Sequence, residues 1–175
     1  MSDTSGSAGP RWLNEEERHV WRSFLTATRL FFDQVERQLQ QDSGLPHAYY
    51  EILVRLSEAP DHTLRMSQLA STSLSSRSRI SHAVARLEES GWVRRRPAPD
   101  DRRGALAQLT NAGLEYLASA APGHVETVRC YLFDALTPQQ QAALREAADA
   151  MVAKMSDKPV WPAVDDPTAD AGGRR

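Results

Sequence analysis

Lysine is nearly absent from this chain: of 21 basic residues all but two, Lys154 and Lys158, are arginine. Cysteine occurs once, as Cys130, which excludes an internal disulfide and any zinc cage built on cysteines. No apolar run is long enough to cross a bilayer, and the opening MSDTSGSAGP lacks the apolar stretch of a secretory leader. The chain is therefore expected in the cytoplasm, away from membranes. The histidines, His19, His47, His62, His82 and His124, fall at no metal-ligand spacing. No nucleophile stands in a motif with a base and an orienting acid. Neither catalysis, nor a cofactor, nor a metal is expected.

What is present is unevenly spread. The 175 residues suit one domain with short extensions, and 41% hydrophobic residues can build a core. The formal net charge is −2, yet residues 62–109 hold nine arginines against four acids, +5, which leaves −7 for the rest. Local field, not total charge, governs attraction to phosphate. The arginine bias suits two-pronged contacts to phosphate or guanine, although a GC-rich genome produces the same bias.

Residues 1–10 are Ser/Gly-rich and residues 157–175 are rich in Pro, Asp and Gly, so both are read as disordered. Between them the pattern is ααααββαα. A long helix over 12–41 carries one apolar row through Val20, Phe24, Phe31, Val35 and Leu39 and another through Trp21, Leu25 and Phe32. That stripe is too wide for one small core to cover. Asp42-Ser43-Gly44 ends it. Pro46 opens a second helix that stops before Pro60, and MSQLAST over 66–72 makes a short third. A break follows, with Ser75 read as the N-cap of the fourth helix. Short helix, tight turn and longer helix make helix-turn-helix grammar.

In the fourth helix Ile80, Ala83, Val84 and Leu87 share one face, while Ser75, Ser78, Arg79, His82 and Arg86 point the other way. Ser76 lies beside them, and Arg77 falls nearer the buried flank, as a phosphate clamp or an intradomain salt bridge. Gly91 is the stop. Residues 92–96 and 105–109 pair as a hairpin around 97–104, tipped by Asp101, Arg102 and Arg103. Arg95 should face opposite to Arg94 and Arg96. Thr110 caps a fifth helix to about residue 135, with a kink at Pro122, and Thr137-Pro138-Gln139-Gln140 opens a sixth to about 154. Hydroxyls, guanidiniums and an imidazole on a helix, beside an arginine-tipped hairpin, suit the major groove of double-stranded DNA and an adjacent groove. Serine and arginine also furnish ordinary solvated faces, and a charged tip also keeps a hairpin soluble. Cys130, near Leu132 and Phe133, reads as a buried small hydrophobe.

Three stretches carry a family resemblance: LPHAYYEILVRLSE, RISHAVARLEESGWV and the wing PAPDDRRGALAQLTNAG. With the flanking helices they make residues 11–154 similar to the MarR family of bacterial transcription regulators. The resemblance implies a mainly α winged helix-turn-helix domain over 11–156, with a lobe over 46–110 and dimerisation helices over 11–41 and 125–154. It implies an obligate homodimer that binds a pseudo-palindromic operator, commonly as a repressor released by small aromatic or phenolic acids. The DNA contacts would be Ser75, Ser76, Arg77, Ser78, Arg79, His82, Arg86, Arg95, Asp101, Arg102 and Arg103. Arg103 would enter the minor groove, with Asp101 holding its guanidinium. Trp21, Arg22, His47, Tyr49 and Tyr50 would line an effector crevice against the fifth helix, although aromatic stripes also serve as plain core. Some members sense oxidants through a cysteine near the start of the first helix, and this chain has none there. The rival reading is a winged-helix dimer whose lobe binds a partner protein.

Overall fold

The computed structural model describes residues 9–73, 75–99 and 101–156, with backbone alone for 101–103. The expectation for the tail over 157–175, and that for all but the end of the N-terminal stretch, lies outside the described residues.

Helix α1 runs Glu15–Ser43. It starts later than the apolar pattern suggests because Asn14 caps it: the Asn14 side chain accepts from the Glu17 N–H, and the Glu17 carboxylate accepts from the Asn14 N–H, both at 2.8 Å. Gly44, at φ 65°, closes the other end in the left-handed conformation. Helix α2 (His47–Glu58) follows Pro46, and α3 (Met66–Thr72) and α4 (Arg77–Glu89) form the helix-turn-helix. Ser76, not Ser75, is the N-cap of α4, its hydroxyl accepting from the Arg79 N–H at 3.3 Å. The Ser75 N–H is instead spent on the Ala70 carbonyl, which makes that residue part of the turn.

Ile80, Ala83, Val84 and Leu87 of α4 are buried with Leu53 and Leu56 of α2, Leu69 of α3 and Val35 and Leu39 of α1. Gly91, at φ 75°, lets Trp92 N–H return to the Leu87 carbonyl at 3.0 Å and aims the chain into the wing.

The wing is larger than a two-stranded hairpin. Strands β2 (Val93–Ala98) and β3 (Asp101–Leu109) pair antiparallel, and β1 (Thr63–Arg65), absent from the sequence pattern, adds to the free edge of β3. Pairing reaches Pro97↔Ala105 and, across an irregularity, Ala98↔Asp101, so most of the expected 97–104 loop is strand. Pro97 is tolerated because β2 is an edge strand of the order β1-β3-β2, where a missing N–H costs little.

Helix α5 (Asn111–Val128) is capped by Thr110 and continues through Pro122; its regular winding gives way at a π-helical turn, Arg129–Phe133. Cys130 sits on that turn and is exposed, contrary to its reading as a core residue. Its neighbours Tyr131 and Phe133 are themselves 52% and 45% exposed, so this stretch faces outward. Helix α6 (Pro138–Met155) starts at the Thr137 capping box and buries no residue within the chain.

The wing is tied to the long helices at one close-packed point. Trp92 stacks on Tyr116 of α5, with ring centroids 3.7 Å apart, and the Tyr116 hydroxyl donates to the Ser43 carbonyl at the end of α1. Beneath them Gly113 leaves no room for a side chain, since a Cβ there would lie 2.2 Å from the Trp92 carbonyl oxygen. Gly113→Ala should therefore destabilise the fold by roughly 3 kcal/mol. That corresponds to about 10 °C in thermal midpoint for a chain of this size. A midpoint unchanged in a thermal melt would show that the junction yields freely.

Candidate nucleic-acid interface

Helix α4 is held by its apolar face, which leaves Ser76, Arg77, Ser78, Arg79, Ser81, His82 and Arg86 exposed. Ser75 is half-buried. Arg77 is exposed and opens onto the cleft between this helix and the wing. Among the described residues, the side chains of Arg77, Ser78, Arg79 and His82 have no hydrogen-bond or ion-pair partner. These groups project from the first two turns of the helix, the part that can enter a major groove most deeply. Arg86 is one turn further on and pairs with Glu89 at 2.9 Å, both largely exposed.

The arginines of β2 divide as strand alternation requires. Arg94 and Arg96 both donate to the Gln108 side-chain oxygen, at 2.9 and 3.0 Å. Arg95 points the other way, into Glu88 of α4: its backbone N–H donates to one carboxylate oxygen at 3.0 Å and its guanidinium to the other at 2.7 Å. These bonds, the backbone one foremost, hold the Glu88 carboxyl below the usual carboxylate range. Arg95, expected as a DNA contact, also fastens the wing to the recognition helix, and its side chain remains 40% exposed. Glu88, its anchor, was not singled out in the sequence. Its signal was available only in retrospect, as an acid at the end of α4 and a base in β2 separated by the Gly91 turn.

Between α4 and the wing lies a cleft of about 570 Å³, lined by Arg65 and Ser67 at the start of α3, Arg77 and Ser81 of α4, Arg95 and Gly104. A duplex with α4 in its major groove and the wing in the adjacent minor groove must pass one phosphate backbone between the two elements. The cleft is where that backbone would run. Sequence reasoning missed Arg65, Ser67 and Ser81. Ser81 follows Ser78 at helical spacing and was legible, whereas Arg65 and Ser67 depend on how α3 packs. The backbone of Asp101, Arg102 and Arg103 lies on β3 and not in a loop, and their side chains are outside what the structure describes.

The effector residues do not form one cluster. Trp21 stacks on Phe24 of α1, and Arg22 lines an open groove with Phe24, Arg29, Phe32 and Asp33. Phe32, which reaches His47, is eleven positions beyond Trp21, about 16 Å along the helix axis. Tyr49 packs half-buried against the core and Tyr50 is buried, with burial raising its hydroxyl pKa. What the fold does gather is His47 and Tyr50 of α2, His124 of α5 and Phe32 of α1. His124 gave no signal in the sequence because its partners lie far away along the chain. Arg55 was also missed; it is 3% exposed and held at 2.6 Å by Glu51, one turn before it on α2.

Three helices, a three-stranded wing and a basic face on the second helix of a helix-turn-helix define a winged helix-turn-helix protein of the DNA-binding kind. Residues 43–104 match the MarR family. Sco3205 from Streptomyces coelicolor, described as a MarR family transcriptional regulator and solved in complex with DNA, is 51% identical. The alignment covers 84% of this chain and 92% of that one, with a TM-score of 0.81. AbsC, a MarR family transcriptional regulator from the same organism, is 40% identical over 83% of this chain and 98% of its own, with a TM-score of 0.79. The transcriptional repressor MprA of Escherichia coli is 26% identical over 64% of this chain and 63% of its own length. The chain belongs to the MarR family of transcriptional regulators. Among the described residues no helix is long and apolar enough to cross a membrane.

Proposed function

We propose that this regulator binds double-stranded DNA as a homodimer, reading bases with α4 and gripping backbone through the α4–wing cleft, and that it acts as a repressor. The observation that carries the reading is the unpartnered outward row of Arg77, Ser78, Arg79 and His82 beside a cleft lined by arginine and serine. A purely structural basic surface would spend its guanidiniums on neighbouring acids, as Arg95 does. The DNA complex of Sco3205 supports DNA as the target, and the repressor MprA supports the sign. The dimer follows from α1 and α6, whose apolar residues Val20, Trp21, Phe24, Leu144, Met151 and Val152 are 40–60% exposed in the single chain. An aromatic acid is proposed as effector, with its ring against Phe32 and its carboxylate toward Arg22 and Arg29, in the groove those residues share.

Selection from a random 40-bp duplex library with the purified protein tests this reading. Enrichment of a two-fold symmetric sequence is the expected result. A library that stays random, alongside capture of the chain by a protein partner through the same lobe, would reverse it.

The wing gives a second check. Arg103→Ala should weaken binding to the selected duplex by about 1–3 kcal/mol. Asp101→Ala should cost part of the same energy, because it acts by holding Arg103, so the double variant should be less than additive. Full additivity would assign the two residues separate roles.

A further inference from the structure

His47 opens α2, the first helix of the DNA-binding lobe, and His124 stands on α5, which packs against both α1 and α2. Their rings stack, with centroids 6.1 Å apart and planes 30° apart. Tyr50, on the next turn of α2, packs on His124 at 4.5 Å, and the Phe32 ring of α1 lies 5.7 Å from His47. The Nδ1 atom of His124 is buried without a hydrogen-bond partner, and so is the Gln38 side-chain oxygen on α1. Three helices thus converge on a half-buried imidazole pair packed among aromatic rings.

We propose that the His47–His124 pair is a proton-responsive joint between α2 and α5. In its neutral state it docks the lobe on the long helices, and on protonation it loosens that docking and lowers affinity for a two-lobed DNA site. The proposal rests on the reading of the protein as a DNA-binding homodimer, because only a paired site senses the spacing of two lobes.

The surroundings of His124 favour its neutral form. The charged groups nearby on α1 are Glu36, whose carboxylate accepts the His47 backbone N–H at 2.8 Å, and Asp42, which accepts from the Gln38 amide at 2.9 Å. On α2 the titratable groups near the pair are Tyr50 and the half-buried Glu51, one turn beyond His47 and paired with Arg55, and on α5 the nearest charge along the chain is the exposed Glu126. Among the described residues no carboxylate makes a hydrogen bond to either ring. A charge on one ring is left without a bonded counter-charge, and charges on both would repel at short range. Burial first, and then the His47 charge, hold His124 below its ordinary value of 6.5. The sign follows from that depression. Docking is fully favourable above pH 6.5, the value for the released ring, and is lost as pH falls through the lower value of the docked ring.

His82 is exposed on the outward face of α4, so any proton it takes up would act on DNA directly and not through the joint. The experiment therefore uses a His82→Gln background and a duplex selected from a random 40-bp library by wild type at about pH 7.5. Affinity for that duplex should fall at least about fivefold between pH 7.5 and 5.5, and adding His124→Phe, which keeps a stacked ring without a titrating nitrogen, should abolish the fall. Parallel pH curves for the two proteins overturn the joint while leaving the DNA-binding reading intact. A library that yields no enriched duplex sinks that reading, and the joint with it. A readout on the wild-type chain keeps the question decidable should His124→Phe fail to fold. The C2 proton of His124, followed by NMR, should titrate below 6.5, and a midpoint at or above that value overturns the joint.

Discussion

Replacing Phe24 with aspartate should leave a folded chain that sediments as a monomer and binds the selected duplex at least about 100-fold more weakly than wild type. Phe24 is 44% exposed in the single chain, between Val20 at 60% and Trp21 at 50%, and it overlooks an open groove with Leu144 and Met151 of α6. Soluble monomers seldom leave so much contiguous apolar surface to water. If a second copy covers it, each protomer loses about 1.5–3 kcal/mol of aromatic burial, and two-fold symmetry applies that loss twice. The new carboxylate adds the cost of burying a charge without a partner. The lobe should survive, because its core of Leu53, Leu56, Leu69, Val84 and Leu87 is elsewhere. The loss of DNA affinity then comes from separating two lobes that had bound as one. A variant that still sediments as a dimer at micromolar concentration, with unchanged DNA binding, would place the interface on another face.

Arg79→Ala and Arg86→Ala should both weaken DNA binding but in different currencies. Arg79 projects from the first turn of α4 with no partner, so it is placed to meet a base edge, and a good bidentate contact is worth about 1–3 kcal/mol of discrimination. Its loss should lower the ratio of selected to random DNA affinity by that amount. Arg86 stands two turns on, already paired with Glu89, at a depth suited to phosphate. Its loss should weaken both kinds of DNA alike and reduce the salt slope by about one counterion. Fluorescence anisotropy with the two duplexes over a salt series distinguishes the outcomes. Equal losses with an unchanged ratio in both variants would remove Arg79 from base reading.

Features written in local chemistry were the legible ones. Gly44, Gly91 and the Thr137 box each mark a helix end by one residue's backbone freedom or hydrogen-bond reach, and the structure places the ends there. The apolar face of α4 follows from spacing alone. Misreadings came where a distant neighbour decides. Ser75 and Ser76 are equally good caps in isolation, and the choice turns on the Ala70 carbonyl claiming the Ser75 N–H. Three residues of β1 carry no alternation to detect, and they become a strand because β3 offers them an edge. Pro97 signals a turn until the sheet order places it at an edge. Trp21 lies eleven residues of α-helix from Phe32, whereas Arg22 and Phe32 line one groove that periodicity alone does not reveal. Cys130 looked buried beside Leu132 and Phe133 because apolar neighbours imply a core, whereas that turn faces out of the chain. The imidazole joint was beyond any local reading, being made by the meeting of α1, α2 and α5.

The Trp92–Tyr116 stack also has an optical consequence. Trp12 and Trp21 are 85% and 50% exposed, whereas Trp92 is half-buried against a phenol ring at the junction of wing and α5. Its indole should emit at shorter wavelength than that of the exposed Trp12 and be sensitive to the neighbouring phenol. With Trp12, Trp21 and Trp161 changed to phenylalanine, the remaining emission would report the distance between wing and α5 in real time. Swinging of the lobe on DNA could then be timed by stopped flow, with no dye attached to the protein.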